Sequence, residues 1–292
     1  MNTKVKIEPY IICKDYSVSR ETFSLFLNET YGYLYTDPKP AEDELARYYE
    51  SEEYISHTDA KSSIMDKAYQ LVKQRSLKRK AQILEQHQEQ GRRLLDIGCG
   101  TGDFLAFCQS LGWESWGVEP NQGARTLAQG KLDKDQRVLE RLNDFKSEKA
   151  SFNAISLWHA LEHLPNLEED ISTILALLDP RGTLLVAVPN YKSFDARHYQ
   201  NHWAAYDVPR HLWHFSQESI HKLFEERNCT VVETLPLYFD SFYVSLLSEK
   251  YKTGKSKPIS AFFRGLQSNW RARRSGEYSS LIYVIKKSNR AV

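Results

Sequence analysis

The fold of this protein is decided by residues 94–102, which read LLDIGCGTG. The first four residues predict a short strand, and three glycines within the next five predict a tight loop. Residues 103–111 lack Pro and Gly and predict a helix that ends at Gly112. A glycine loop between a strand and a helix turns the backbone amides of the helix start toward a ligand. The stretch therefore predicts the ligand-binding turn of a parallel sheet.

Strands and helices alternate on the C-terminal side of this loop. Strands are expected over 113–118 and 152–158, a helix over 166–178, a turn over 179–182 and a buried strand over 183–188. Two late strands are expected over 229–239 and 280–287. The alternation predicts an α/β fold with a Rossmann-like, doubly wound sheet, in which we expect seven strands with the last one antiparallel.

The chain divides at Gly91 in this interpretation. Residues 1–90 form a mostly helical N-terminal appendage, with a short helix over 41–50 and a long one over 62–90. Residues 91–292 form the catalytic domain, with residues 240–278 as a lid-like insertion before the last strand.

The acidic residues around the loop indicate which cofactor it binds. Asp96 stands two places before the first glycine, and the glycines run G-x-G-x-G instead of the G-x-G-x-x-G of dinucleotide enzymes. A carboxylate there repels a pyrophosphate and attracts the ammonium and sulfonium of S-adenosylmethionine. Glu119, at the end of the next strand, can accept hydrogen bonds from ribose hydroxyls. We therefore expect S-adenosylmethionine, with a nucleotide-cofactor oxidoreductase as the less favoured alternative.

Several segments resemble one known family. LLDIGCGTG and the GVEP of residues 117–120 resemble motifs I and II of class I S-adenosylmethionine-dependent methyltransferases. ISLWHALEHLP (155–165) and LDPRGTL (178–184) resemble the strand-four motif and the following turn of the same family. VPRHLWHFS (208–216) resembles a signature of the methyltransferase 23 subgroup. The resemblance covers residues 92–235 well and the rest of the chain loosely, and it specifies the cofactor but not the methyl acceptor.

The resemblance implies a role for each matching residue. Asp96 and Gly98 would meet the methionine amine, Glu119 the ribose, and Trp158 with His159 the transferring methyl group. The loop and adenine side of the cofactor site would consist of Cys99, Gly100, Gly102, Pro120, Asn143, Asp144 and Phe145.

Relatives in this subgroup often begin with a cysteine-rich zinc segment. Here Asn28 and Tyr31 stand where a C-x-x-C pair would be, and only Cys13 remains. A tetrahedral site needs four good ligands, so we predict that the N-terminal segment binds no zinc.

Histidines concentrate in one part of the chain, with seven of nine between residues 159 and 221. His159 is the first candidate for a general base that deprotonates an acceptor hydroxyl, and His211 is the second. Each has a hydrogen-bonded structural role as its alternative. Glu162 and His163, with His159 and either His211 or His214, could also hold a transition metal. We favour the interpretation without a metal.

A basic stripe lies near the C-terminus. Residues 252–274 contain seven Lys or Arg and no Asp or Glu, and the apolar residues from Ile259 to Trp270 recur at helical spacing. The favoured interpretation is a packed lid helix with a solvated basic side. Contact with an anionic substrate and contact with a membrane surface are the alternatives, in that order.

The composition excludes several classes of protein. The 292 residues carry a net charge of +1, which gives no global indication of nucleic-acid binding, and the four cysteines form no C-x-x-C pair. The sequence contains neither a signal-peptide segment nor a stretch of 18 apolar residues, so we expect a cytoplasmic enzyme. The expected reaction is methyl transfer to a hydroxyl of a small acceptor, which is a sugar, a lipid-linked molecule or a secondary metabolite. One alternative is that this acceptor is anionic. A non-catalytic S-adenosylmethionine-binding protein is the second alternative.

Overall fold

The computed structural model describes residues 8–49, 64–133, 137–145, 147 and 150–288, without the side chains of residues 42, 43, 46 and 64–71. The strands are β1 (Ile11–Lys14), β2 (Thr22–Leu27), β3 (Leu34–Asp37), β4 (Arg93–Ile97), β5 (Glu114–Val118), β6 (Val138–Leu139), β7 (Phe152–Trp158), β8 (Leu178–Pro189), β9 (Trp213–His214), β10 (Cys229–Pro236) and β11 (Ser280–Lys287). The α-helices are α1 (Glu42–Leu45), α2 (Ile64–His87), α3 (Asp103–Ser110), α4 (Gln122–Gln129), α5 (Leu167–Leu177), α6 (Phe194–Tyr199), α7 (Gln217–Glu225), α8 (Asp240–Thr253) and α9 (Pro258–Ser275).

The described residues form two compact units. The α/β unit contains residues 64–187, 224–234 and 282–288, and the accessory unit contains residues 8–49, 188–223 and 235–281. These boundaries differ from the division predicted at Gly91, because α2 belongs to the α/β unit and a later part of the chain joins the N-terminal residues. Residues 62 and 63 of the predicted long helix lie outside the described residues.

One sheet has seven strands in the order β10-β11-β8-β7-β4-β5-β6. β4 pairs in parallel with β5 and β7, and β7 pairs in parallel with β8. The last strand, β11, is antiparallel to β8: Asn190 N donates to Ser279 O at one end, and Lys287 Nζ donates to Leu178 O at the other. The predicted seven-stranded fold with an antiparallel last strand is confirmed. The residues of β7 and β8 are mostly apolar and buried, as expected for central parallel strands.

The turn predicted at residues 179–182 is wrong. These residues lie inside β8, where Phe152 pairs with Leu178 and Ala154 pairs with Thr183. One residue of β7 therefore faces four residues of β8, which makes this segment a wide irregularity within the strand. Turn-forming residues can bulge out of a strand without ending it, and the local sequence does not distinguish these outcomes.

A second sheet, in the accessory unit, has the order β1-β2-β3-β9, and its three strand pairs are antiparallel. The sequence interpretation did not contain this sheet, although it correctly placed helices over α1 and α2. The strands have only two to six residues, and β9 pairs with β3 from a distant part of the chain. Its apolar face belongs to a core that includes Phe23, Leu25, Leu34, Tyr206 and Val208.

The seven-stranded sheet reverses its winding between β4 and β7. The chain goes from β4 outward to β5 and β6, and then returns to the other side of β4 as β7. Open α/β sheets bind ligands at this switch point, beyond the carboxyl ends of the strands. The fold thus brings the ends of β4, β5 and β7 to a single edge. None of the described helices is both long enough and apolar enough to cross a membrane.

Candidate cofactor and active site

The glycine loop after β4 has the backbone conformation that only glycine adopts easily. Gly98, Gly100 and Gly102 have φ values of 71°, 55° and 76°. A Cβ atom on Gly98 would lie 2.8 Å from Ala160 Cβ, and one on Gly102 would lie 2.8 Å from Ala128 Cα. At Gly100 no heavy atom of the described residues, apart from its two chain neighbours, lies within 4 Å of an added Cβ, so the backbone there is open to a ligand.

Asp96 lies at the switch point itself. The residue is 3% exposed, and its Oδ1 accepts a 2.6 Å hydrogen bond from Ser156 Oγ on the paired strand β7. The Asp96 pKa is raised to about 7, mainly by burial and to a smaller extent by the charge of Glu119, although the Ser156 hydrogen bond and the charge of Lys80 act to lower it. A cationic ligand beside this carboxyl would favour its charged form.

Glu119 connects the end of β5 to the glycine loop. Its Oε2 accepts from Gly100 N and its Oε1 from Asn121 N, both at 2.9 Å. These two bonds hold the carboxylate in one orientation beside the open backbone of Gly100. Each carboxylate oxygen retains capacity for one more donor, as a pair of ribose hydroxyls requires.

Trp158 and Lys80 border the same site. The Trp158 ring meets Phe104 edge-on at 5.5 Å, and Lys80 Nζ lies 4.5 Å from the ring centroid. Trp158 Nε1 is buried, and no hydrogen-bond acceptor reaches it among the described residues. A buried donor of this kind is expected where a ligand supplies the acceptor.

Sequence reasoning missed Ser156 and Lys80. Ser156 carried a signal, since it is the one hydroxyl residue in the central part of a buried apolar strand and pairs directly with Asp96. Lys80 carried none, because it is one of many basic residues on α2.

The other predicted cofactor residues occupy the same edge or its flank. Cys99 N donates to Val118 O, and the Pro120 carbonyl accepts from Arg125. Asn143 and Asp144 are exposed in a 3₁₀ turn, Leu142–Phe145, whose Phe145 ring packs against Phe152. Their contact with adenine stays a prediction.

Comparison with known proteins gives the family. A sequence profile described as a methyltransferase domain matches residues 65–234, more than half of the chain. The chain belongs to this methyltransferase family. A ubiquinone biosynthesis O-methyltransferase of Rhodopseudomonas palustris (strain TIE-1) is 31% identical over 112 residues, which cover 36% of this chain and 44% of that protein. The match thus spans less than half the length of this curated relative.

Solved structures agree with the fold. A geranyl diphosphate C-methyltransferase from Streptomyces coelicolor A3(2) aligns with a TM-score of 0.54 at 16% identity, over 79% of this chain and 86% of that one. A SAM-dependent methyltransferase from Archaeoglobus fulgidus aligns with a TM-score of 0.51 at 20% identity, over 75% and 94% of the two chains. Together with the family match, the residues at the sheet edge identify the cofactor as S-adenosylmethionine.

His159 directly follows β7 and has an unusual backbone. Its φ is 56°, a left-handed conformation that is uncommon for residues other than glycine and that clusters at functional sites. Its Nδ1 lies 3.3 Å from Oε1 of Glu162. The His159 side chain is 37% exposed and that of Glu162 is 1% exposed, so a buried carboxylate orients an accessible imidazole.

His211 and His214 lie in the accessory unit. His211 Nδ1 donates to Ala205 O at 2.9 Å, and His211 Nε2 lies 3.9 Å from Asp207 Oδ2. His214 Nε2 is 3.0 Å from Thr36 Oγ1, and burial lowers the His214 pKa well below its usual value. His214 is thus a neutral structural residue, whereas His211 keeps its predicted role as second candidate base.

Hydrogen bonds of Asn28 in the N-terminal sheet support the prediction that this segment binds no zinc. Asn28 Oδ1 accepts from Tyr31 N at 3.0 Å, and Asn28 Nδ2 lies 3.2 Å from the Tyr33 hydroxyl. Side-chain hydrogen bonds therefore close the turn in which relatives would place a C-x-x-C pair. Absence of zinc, and absence of a metal at His159, Glu162 and His163, stay predictions.

Proposed function

We propose that this protein transfers a methyl group from S-adenosylmethionine to a hydroxyl of a small acceptor, within the class of sugars, lipid-linked molecules or secondary metabolites. The His159–Glu162 pair at the end of β7 carries the proposal. The O-methyltransferase named among the relatives supports oxygen as the acceptor atom.

The residues of the sheet edge would bind and orient the cofactor. The Asp96 carboxylate suits the amine of the methionine moiety, and Glu119, oriented by Gly100 N and Asn121 N, suits the ribose hydroxyls. The indole of Trp158 borders the site and contributes a donor at Nε1. When bound, S-adenosylmethionine supplies an electrophilic methyl group on a positively charged sulfur.

His159 would manage the proton of the acceptor. In the neutral ring with Nδ1–H directed at Glu162, Nε2 would take the hydroxyl proton as the oxygen attacks. Removal of that proton raises the nucleophilicity of the oxygen, and general-base help is worth roughly 10²–10⁴-fold in rate. Fixed orientation matters as much, because transfer requires the acceptor in line with the bond that breaks.

The test combines binding and turnover. The purified full chain is incubated with methyl-labelled S-adenosylmethionine and fractionated small-molecule extracts, and the labelled product defines the acceptor. His159→Gln should then lower kcat by about 10²–10⁴-fold and change the cofactor Kd by less than about twofold. His221→Gln, on the exposed face of α7, is the matched control and should leave both values unchanged.

Two outcomes would contradict the proposal. Unchanged turnover in His159→Gln would remove this residue as the base. Tight cofactor binding without labelled product in any fraction would favour the non-catalytic binding protein.

A further inference from the structure

Helix α9 is packed in the reverse of the usual way. A surface helix normally buries its large apolar side chains and exposes its polar ones. Here the buried stripe consists of small residues, Ala261, Gly265, Ser268 and Ala272. A Cβ on Gly265 would lie 2.6 Å from Phe242 Cδ1, so α9 approaches α8 too closely for a larger side chain.

The large apolar side chains of α9 point to solvent instead. Ile259 is 75% exposed and Trp270 is 61% exposed. The apolar face is defined by Ile259, Phe262, Phe263, Leu266 and Trp270. The favoured sequence interpretation, a packed lid helix with a solvated basic side, did not predict that the apolar face would also lie in water. Contiguous exposed apolar surface on one helix marks an interaction site.

Basic side chains flank the apolar face at both ends. Lys252, Lys255 and Lys257 precede it, and Arg271, Arg273 and Arg274 follow it, all of them exposed. Arg264 lies within the helix, and residues 252–274 contain no acidic residue. The partner of this face must therefore offer both an apolar interior and negative charge.

We propose that the apolar face of α9 docks on an anionic lipid surface. A helix with aromatic and aliphatic side chains on one side and Lys or Arg around it lies in the plane of a membrane interface. Its long basic side chains extend to the headgroups while the apolar ones enter the acyl boundary. The 18 residues of α9 extend about 27 Å, enough for such a flat contact.

A second copy of the chain fits this surface less well. A two-fold interface would place the same patch on both sides, so the seven basic residues of each copy would face those of the other. Single-stranded nucleic acid could stack on Phe262, Phe263 and Trp270, but it would leave the exposed aliphatic side chains of Ile259 and Leu266 without an apolar partner. An anionic lipid surface satisfies both the apolar and the basic side chains.

The experiment is co-sedimentation of the purified full chain with vesicles of phosphatidylcholine, with and without about one quarter phosphatidylglycerol. We expect binding to the anionic vesicles, and each basic residue near the surface should raise the binding constant about fivefold. Phe263→Ser with Trp270→Ser should weaken binding about hundredfold, and Arg273→Glu with Arg274→Glu more than about twentyfold. Val232→Ser removes an exposed apolar side chain from β10, 49% exposed, and should have no effect.

Thermal unfolding and calorimetry verify that each variant folds and binds the cofactor. The result is read from vesicle binding and does not depend on methyl-transfer activity. Equal binding to both vesicle types, or none to either, would overturn the proposal. A concentration-dependent dimer in light scattering that Phe263→Ser with Trp270→Ser abolishes would assign the face to a second copy. Preferential binding of a single-stranded oligonucleotide, lost in the same variant, would assign it to nucleic acid.

Discussion

The buried carboxyl of Asp96 makes cofactor affinity depend on pH. With a pKa of about 7, the free carboxyl is about half ionised at pH 7 and about 3% ionised at pH 5.5. The cofactor ammonium requires the ionised form, and an α-amino group with a pKa of roughly 7.7–8.0 stays mostly protonated over this range. The Kd for S-adenosylmethionine should therefore rise about fifteenfold from pH 7 to pH 5.5, or ~1.6 kcal/mol.

The direction of this pH dependence follows from the raised pKa of Asp96. The raised pKa means that the Asp96 carboxyl favours the folded, unliganded protein at low pH, and that this contribution is lost as the pH rises toward about 7. Cofactor binding favours the ionised carboxylate, so it releases a proton below and near pH 7. Stabilisation of the fold by the cofactor should grow with pH over the same interval.

Calorimetric titration in two buffers of different ionisation enthalpy measures both quantities. About 0.4 of a proton should be released per cofactor at pH 7, because Asp96 releases about half a proton and the cofactor amine takes up about 0.1. Asp96→Asn should bind more weakly and without this pH dependence. Asp103→Asn is the matched control: burial raises the Asp103 pKa, but its bonds to Lys73 and Lys131 outweigh this and lower it, so the wild-type slope should persist. A flat wild-type profile, or tighter binding on acidification, would refute the reasoning.

Three further predictions concern the loop, the N-terminal sheet and metal content. Gly98→Ala should destabilise the fold by about 2–3 kcal/mol and weaken cofactor binding more than about thirtyfold, because the residue has φ 71° and its Cβ would strike Ala160. Gly254→Ala, with the same φ in open space, should cost only about 1 kcal/mol, and equal losses of Tm would contradict the steric argument. Burial raises the Asp15 pKa, but hydrogen bonds from Ser19 and Ser17 outweigh burial, so the pKa is lowered. Asp15→Asn should therefore lower the free energy of unfolding by about 1–3 kcal/mol at pH 7, and by less as the pH falls below about 4. A loss of stability that does not change with pH in denaturant titrations would argue against this role. Mass spectrometry for metals should find no stoichiometric zinc, and one zinc per chain would reverse the interpretation of the N-terminal segment.

The cofactor half of the site could be predicted because its requirements are local. Gly98, Gly100 and Gly102 all have the positive φ that a tight strand-to-helix turn requires, and glycine is the residue that adopts it without strain. Asp96 is the next-to-last residue of β4 and Glu119 directly follows β5, and parallel strands bring such ends together. The alternating pattern of strands and helices likewise predicted the seven-stranded sheet.

The accessory unit shows where that reasoning fails. β2 alternates buried and partly exposed residues, a signal that was present in the sequence. Its partners β1 and β3 are too short for periodicity to identify, and β9 lies far along the chain. Helix α9 was recognised as amphipathic, but periodicity reports that one face is apolar and not which way that face points.

Residue types and their spacing along the chain were therefore enough to identify the fold class, the glycine loop and the two acidic cofactor residues. Contacts between distant residues decided the rest. The Asp96 pKa depends on a hydrogen bond from Ser156, sixty residues away, and on burial under neighbouring strands. The ring of Trp158 beside Lys80, the buried Glu162 behind His159 and the outward face of α9 depend in the same way on packing. Burial, charge and exposure are properties of the assembled chain, because each is set by neighbours that the local sequence does not contain.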